Sequence, residues 1–302
     1  MPYDPFARGP FAVGVHSGVA IDKDRNDRRL PFEVWYPEDA GTGTHPLVLY
    51  SHASYGHKAQ SSFLCAHLAS HGYVVAAADH SGNAAADFAE RAARLATGEL
   101  RPRTPEEADA YLRQIIADRV PDLRFLLDQM LSRDLSQRID ERRIGLAGWS
   151  FGGWAVLATP EADDRIRAVL AMAPAGSSKP LPGIIPATLT FDWKRDVPTL
   201  FLVAERDRFT PLAGQYELFA RTRSSKKLVI LRGADHQHFG DAIDEPGACP
   251  PEHAHLFTRG LGLAHMDAAL KEDRAAREFL ADDPVAALRE RGVDAAYPEP
   301  IG

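Results

Sequence analysis

Cysteine is almost missing from this chain: Cys65 and Cys249 are the only two among 302 residues. That excludes a disulfide framework and leaves a single bridge as the most that could form, so the fold must rest on a buried core. A basic run is missing too. With a formal net charge of -7, the surface has no electrostatic footprint for nucleic acid or for an anionic membrane. No apolar run approaches the roughly 20 residues that a membrane-spanning helix needs. The opening MPYDPFARGPFAVG has no cationic start leading into an apolar segment, which sets the expectation of a cytoplasmic protein. What is present, 45% apolar and 25% charged residues, is the composition of a globular protein. The expectation is one domain over residues 1–302 with a large core.

The most informative stretch is RIGLAGWSFGG, Arg143 to Gly153. Ile144, Leu146 and Ala147 suit a buried strand, and Gly148 to Gly152 then matches G-x-S-x-G where that strand should turn into a helix. In such a turn the serine backbone is strained and glycines are needed where strand and helix approach closely. Ser150 is therefore predicted to stand exposed at the sheet edge as a nucleophile.

Around it the chain alternates strands and helices. Phe11 to Val15, Val19 to Asp22 and Arg29 to Tyr36 read as short antiparallel strands. Pro46 to Tyr50 is a buried strand entering the small-residue loop Ser51 to Gly56, before a helix carrying Phe63, Leu64, Cys65 and Leu68. Val74 to Ala78 is the next strand, and strand, helix, strand is the rhythm of a parallel sheet. Residues 83–103 read as a helical insertion over the carboxyl edge of that sheet. Thr104-Pro105-Glu106-Glu107 announces a long helix with Ile116, Val120, Leu123, Leu127 and Met130 buried and Pro121 kinking or restarting it. Strands follow at Ala168 to Met172, Thr199 to Val203 and Lys227 to Leu231, with helices after Ser150 and over Ala213 to Arg221. Residues 245–302 read as a C-terminal, mainly helical extension.

A serine hydroxyl becomes a nucleophile only when a base takes its proton and an acid holds that base in one tautomer. Downstream of Ser150 both partners have candidates at strand ends. Asp207 and Glu205 follow TLFLV, and His236 and His238 follow KLVIL. The oxyanion needs two backbone donors, the amide after the nucleophile and one from the loop after an early strand. Those are Phe151 and Ser54, with Tyr55 and Trp149 as neighbouring substrate contacts. Cys249, His253 and His255 match no common zinc spacing, so neither a metal nor a cofactor is expected.

With these residues assembled, the chain resembles the α/β-hydrolase family, and within it the esterases related to platelet-activating-factor acetylhydrolase and dienelactone hydrolase. The resemblance is carried by PLVLYSH, LASHGYVVAAADH, GWSFGG and RGADHQHFGD. It implies a mostly parallel twisted sheet with helices on both faces. It also selects Asp207 over Glu205 and His236 over His238, and gives Ser54 and Phe151 the oxyanion amides. Ala53 stands where these relatives usually have glycine, and Ser150 where dienelactone hydrolases have cysteine. The expected reaction is hydrolysis of a small or short-acyl carboxylic ester through an acyl-enzyme. Acyl transfer or amide cleavage on the same triad, and a catalytically silent binding protein, are the alternatives.

Overall fold

The computed structural model describes residues 3–38, 41, 43–132, 138–244 and 247–298. Nine strands form one sheet in the order β1-β2-β4-β3-β5-β6-β7-β8-β9. They are β1 Val13–Asp22, β2 Arg28–Pro37, β3 His45–Ser51, β4 Val74–Ala78, β5 Ile139–Trp149, β6 Ile166–Met172, β7 Thr199–Ala204, β8 Lys226–Leu231 and β9 Ala295–Ala296. The run from β4 to β8 is parallel, whereas β1, β2 and β9 join antiparallel at the edges. This is an α/β-hydrolase architecture, a mostly parallel sheet flanked by helices.

Side-chain alternation along the central strands explains the layers. On β3, Val48 and Tyr50 face one core with Leu64 and Leu68 of α1 (Ser62–Ser70) and Phe257 and Leu261 of α6 (Pro251–Leu270). Leu47 and Leu49 face the other, with Leu123 and Leu127 of α3 (Pro105–Ser132) and Ala155 and Val156 of α4 (Phe151–Ala162). Because both faces are covered, these strands read as unbroken apolar runs. The described residues hold four further α-helices: α2 Ala85–Ala96, α5 Leu212–Arg221, α7 Arg274–Ala281 and α8 Pro284–Arg289.

Three local expectations need correction. The two strands predicted on either side of Gly18 are one strand, β1, paired with β2 from Val13 to Asp22. A Cβ on Gly18 would come within 2.6 Å of the Phe32 ring, so this glycine makes room for a cross-strand aromatic and is not a break. The long helix does not restart at Pro121, which lies inside α3. Its buried face is also rotated from the predicted stripe: Ile115, Arg119, Asp122, Leu123, Leu126, Leu127 and Met130 are buried, and Ile116 and Val120 are only partly so. The predicted N-terminus of α3 is present, with Thr104 Oγ1 accepting from Glu107 N and Glu107 Oε2 accepting from Thr104 N.

The segment 83–103 contains α2, which buries none of its residues fully. It leans on the loop after β3, where Phe88 meets the Tyr55 ring at 5.1 Å. The C-terminal segment holds α6, α7 and α8, then the short strand β9, which periodicity does not reveal; Glu245, Pro246 and residues 299–302 of it lie outside the described residues. Cys65 and Cys249 are both free and buried.

Candidate active site

β5 ends at Trp149 and α4 begins at Phe151, leaving Ser150 at φ 58° and ψ -117°. An L-residue is strained there, and such strain persists only where the surroundings enforce it. The enforcing bonds are Ser150 N to Met172 O at 2.9 Å, and Trp154 N and Ala175 N to Ser150 O at 3.0 and 2.9 Å. The flanking glycines follow from the same closeness. A Cβ on Gly148 would lie 2.4 Å from Gly152 O, and one on Gly152 would lie 2.0 Å from Ser51 O.

Loops after β7 and β8 bring two side chains into line with the Ser150 hydroxyl. His236 Nε2 lies 2.8 Å from Ser150 Oγ, and His236 Nδ1 lies 2.6 Å from Asp207 Oδ2. A carboxylate only accepts, so Nδ1 carries the proton and Nε2 is the acceptor facing the serine. The Asp207 side chain is 1% exposed against 12% for His236, so the carboxylate is sealed while the imidazole keeps some contact with solvent. Asp207 Oδ1 accepts from the amides of Phe209 and Thr210 at 2.8 and 2.7 Å, and Oδ2 accepts from Thr210 Oγ1 at 2.7 Å. Trp149 and Phe209 pack their rings 5.5 and 5.2 Å from the imidazole.

The competing candidates are occupied elsewhere. Glu205 holds Arg232 Nη1 and Gly233 N, both at 2.9 Å, on the neighbouring loop. His238 is buried, with Nδ1 at Asp235 and Nε2 3.1 Å from Cys249 O.

Ser54 sits half-buried in the loop after β3, and Phe151 is buried at the first position of α4, whose dipole is positive at this end. Among the described residues neither backbone N–H has a hydrogen-bond acceptor. Tyr55, at φ 56° and 44% exposed, stands open to solvent beside them. Trp149 is 6% exposed and packs on His236 and Gly240, so its surface is turned mainly to the base.

An apolar cavity of about 200 Å³ lies beside the turn that follows Asp207, walled by Pro174, Leu181, Ile184, Phe209, Thr210 and Pro211 among others; Ser150, His236, Ser54 and Phe151 are not among its lining residues. Of the apolar residues between Pro180 and Thr190, Leu181 and Ile184 line it, while Ile185, Ala187 and Leu189 belong to the core. Phe209 supplies a wall that periodicity could not reveal.

Sequence reasoning also missed a buried polar cluster behind the loop after β3. Asp122 Oδ2 lies 3.0 Å from His80 Nδ1, and His80 Nε2 lies 3.0 Å from Ser51 Oγ. Arg28 and Arg25 also pair with Asp122. Burial pulls the His80 pKa down to about 4 and that of His52 well below its usual value. The one sequence signal was Arg119 and Asp122 falling three apart on the face of α3 shared with Ile115 and Leu126.

Comparison with known proteins gives two family matches. A model described as PET hydrolase-like covers residues 110–289, and one described as platelet-activating factor acetylhydrolase, isoform II, covers residues 27–124. Curated relatives named platelet-activating factor acetylhydrolase include those of Cavia porcellus, 26% identical over 221 residues, and Bos taurus, 28% identical over 232 residues. Each alignment covers 65% of this chain and 48% of the relative. The chain thus spans about half the length of the curated relatives it matches.

Proposed function

The chain belongs to the PET hydrolase-like family of carboxylic ester hydrolases, and from that premise we propose that it cleaves a small, short-acyl ester with Ser150 as nucleophile. The observation that carries this reading is the unbroken line Ser150 Oγ, His236 Nε2, His236 Nδ1, Asp207 Oδ2 at 2.8 and 2.6 Å. In it His236 takes the hydroxyl proton as Ser150 attacks the ester carbonyl. Asp207 holds the ring in its Nδ1–H tautomer and stabilises the imidazolium. The Ser54 and Phe151 amides receive the oxyanion, an interaction whose loss costs about 10²- to 10³-fold in turnover. The protonated His236 then returns its proton to the leaving alcohol, and water hydrolyses the acyl-enzyme by the same route in reverse.

The acyl chain is assigned to the cavity beside Thr210 and Phe209. A volume of about 200 Å³ suits a few carbons, and the relatives' name, acetylhydrolase, points the same way. The test is labelling of intact protein with a fluorophosphonate, followed by mapping of the adduct. One adduct per chain on Ser150 is expected, absent in Ser150→Ala. An adduct on another residue, or Ser150→Ala turning over ester at more than a few per cent of the wild-type rate, would refute the reading.

A further inference from the structure

Behind the candidate oxyanion loop lies a guanidinium that nothing above employs. Arg119 of α3 is 0% exposed, which is exceptional for a side chain that carries its charge at any ordinary pH. Among the described residues it forms no ion pair with a carboxylate, since Asp122 on the same helix is taken by Arg25, Arg28 and His80. Its Nη1 and Nη2 donors go instead to the loop after β3 and to Asn83. Nη1 donates to His52 O at 2.6 Å and to Ser51 Oγ at 3.3 Å, and Nη2 donates to Ala53 O at 3.4 Å and to Asn83 Oδ1. The flat face of the guanidinium lies 4.4 Å over the Phe151 ring. One buried cation therefore touches the residues on both sides of the candidate oxyanion site.

We propose that Arg119 is the positioning residue of the oxyanion site, holding the Ala53–Ser54 peptide in the plane that aims the Ser54 N–H at the reacting oxygen. The Ala53 carbonyl and the Ser54 N–H belong to one planar, trans peptide unit, so fixing the carbonyl fixes the direction of the amide. That carbonyl is pinned from three sides: His52 Nδ1 at 2.6 Å, Gly56 N at 3.1 Å and Arg119 Nη2 at 3.4 Å. His52 can donate from Nδ1 because its Nε2 accepts from His80 N at 3.0 Å, which sets the tautomer. Asn83 braces the same loop twice, through its side chain on Arg119 and through its carbonyl, which accepts from Tyr55 N at 3.2 Å.

The row Asp122, His80, Ser51 copies the connectivity of the triad but is no second active site. Ser51 is 0% and His80 2% exposed, so no substrate reaches the hydroxyl. Its effect is to hold Ser51 Oγ where it accepts from the Arg119 fork. A cation shielded from water also biases the field behind the two amides toward negative charge, and fields in a dry site act more strongly than in solvent.

The inference rests on the proposed esterase reading, and the experiment separates the two. Arg119→Met, Arg119→Lys and Asn83→Ala are compared with wild type by unfolding midpoint, by kcat and KM on p-nitrophenyl acetate, and by inhibition with phenylboronic acid. The boronate, once added to Ser150 Oγ, carries the tetrahedral oxygen. Arg119→Met should lower kcat on the order of 10²- to 10³-fold with KM changed less than threefold. Its boronate inhibition constant should rise by a similar factor. Arg119→Lys, which keeps charge but not the fork, and Asn83→Ala should fall between. A role in folding alone would lower the unfolding midpoint and leave the folded fraction with wild-type kcat and boronate affinity, and that result overturns the proposal. If Arg119→Met does not accumulate, Arg119→Lys and Asn83→Ala decide by the same criteria. Failure of wild type to take fluorophosphonate at Ser150 would instead sink the esterase reading itself.

Discussion

Asp207 offers His236 Nδ1 one carboxylate oxygen at 2.6 Å and spends the other on the Phe209 and Thr210 amides of its own turn. An acid held from both sides cannot swing, so the imidazole it orients keeps one tautomer and one direction. Asp207→Asn, which preserves shape but favours the wrong tautomer, is expected to lower kcat roughly 10⁴-fold. Glu205→Gln, at a carboxylate that bonds Arg232 and Gly233, should leave kcat nearly unchanged. Steady-state kinetics of the two variants checks the assignment, and the opposite ranking moves the acid to Glu205.

His236 and His238 are two positions apart and should fail differently. His236→Ala is expected to approach Ser150→Ala in its loss of turnover, because members of a triad act as one unit. His238→Ala should keep most of its kcat per folded molecule. It takes the ring partner from the Cys249 carbonyl and from the Asp235 amide, so a destabilisation of about 1–3 kcal/mol is expected. Urea unfolding beside kinetics separates the two effects.

Acidification should weaken the fold through histidines buried in neutral form. Desolvation pulls His265 on α6 from 6.5 down to about 4, and His67 and His80 are also lowered to about 4. The folded pKa is depressed, so the unfolded chain takes the proton first. Stability is therefore full above pH 6.5 and declines as pH falls from there through about 4. One such histidine amounts to at most about 3 kcal/mol. The urea midpoint should drop across this window, and His265→Phe should flatten the drop; an unchanged slope would remove His265 from the account.

Acyl-chain preference should follow the cavity. Each fitted methylene contributes about 0.8 kcal/mol, close to fourfold in kcat/KM, until the chain meets a wall. Across p-nitrophenyl esters kcat/KM is expected to peak at short chains and decline well before palmitate. Ile184→Ala should move the peak to longer chains and Ile184→Trp to shorter ones. A ratio still rising at the longest chain, or one that jumps when substrate forms an interface, would mean that the cavity beside Phe209 does not hold the acyl group.

Gly152→Ala should be among the most damaging single-methyl additions in the chain. The new Cβ would lie 2.0 Å from Ser51 O and 2.7 Å from His52 O, both backbone atoms of β3 and the loop that follows. Relief requires the Ser150 turn to part from that loop, at a cost of about 3 kcal/mol. Thermal unfolding gives the stability loss, and fluorophosphonate labelling of the folded fraction should slow as well.

Much of this arrangement could be read before folding was considered. The strands of the parallel core announce themselves as apolar runs, because both faces of that part of the sheet are covered, and β4 and β7 lie where those runs do. G-x-S-x-G at a strand end marks a turn whose glycines are demanded locally. Gly18 misled, because a glycine that admits the Phe32 ring from the next strand looks in sequence like one that breaks a strand. The stripe of α3 misled for a related reason. Periodicity scores Arg119 and Asp122 as surface, and only partners brought from Arg28, Ser51, His52 and His80 make their burial tolerable.

The amino-acid sequence by itself therefore determined the order of strands and helices, the serine turn and a short roster of acids and histidines at strand ends. Those are consequences of local geometry and of apolar pattern, which neighbouring residues carry. Which acid meets which histidine was decided by tertiary structure, because Glu205 and Asp207 leave the same strand and differ only in the loop each one faces. The same holds for Arg119. A guanidinium is buried only where carbonyl groups converge on it, and those carbonyls lie 66 and 67 residues away along the chain, where only the folded sheet brings them to it.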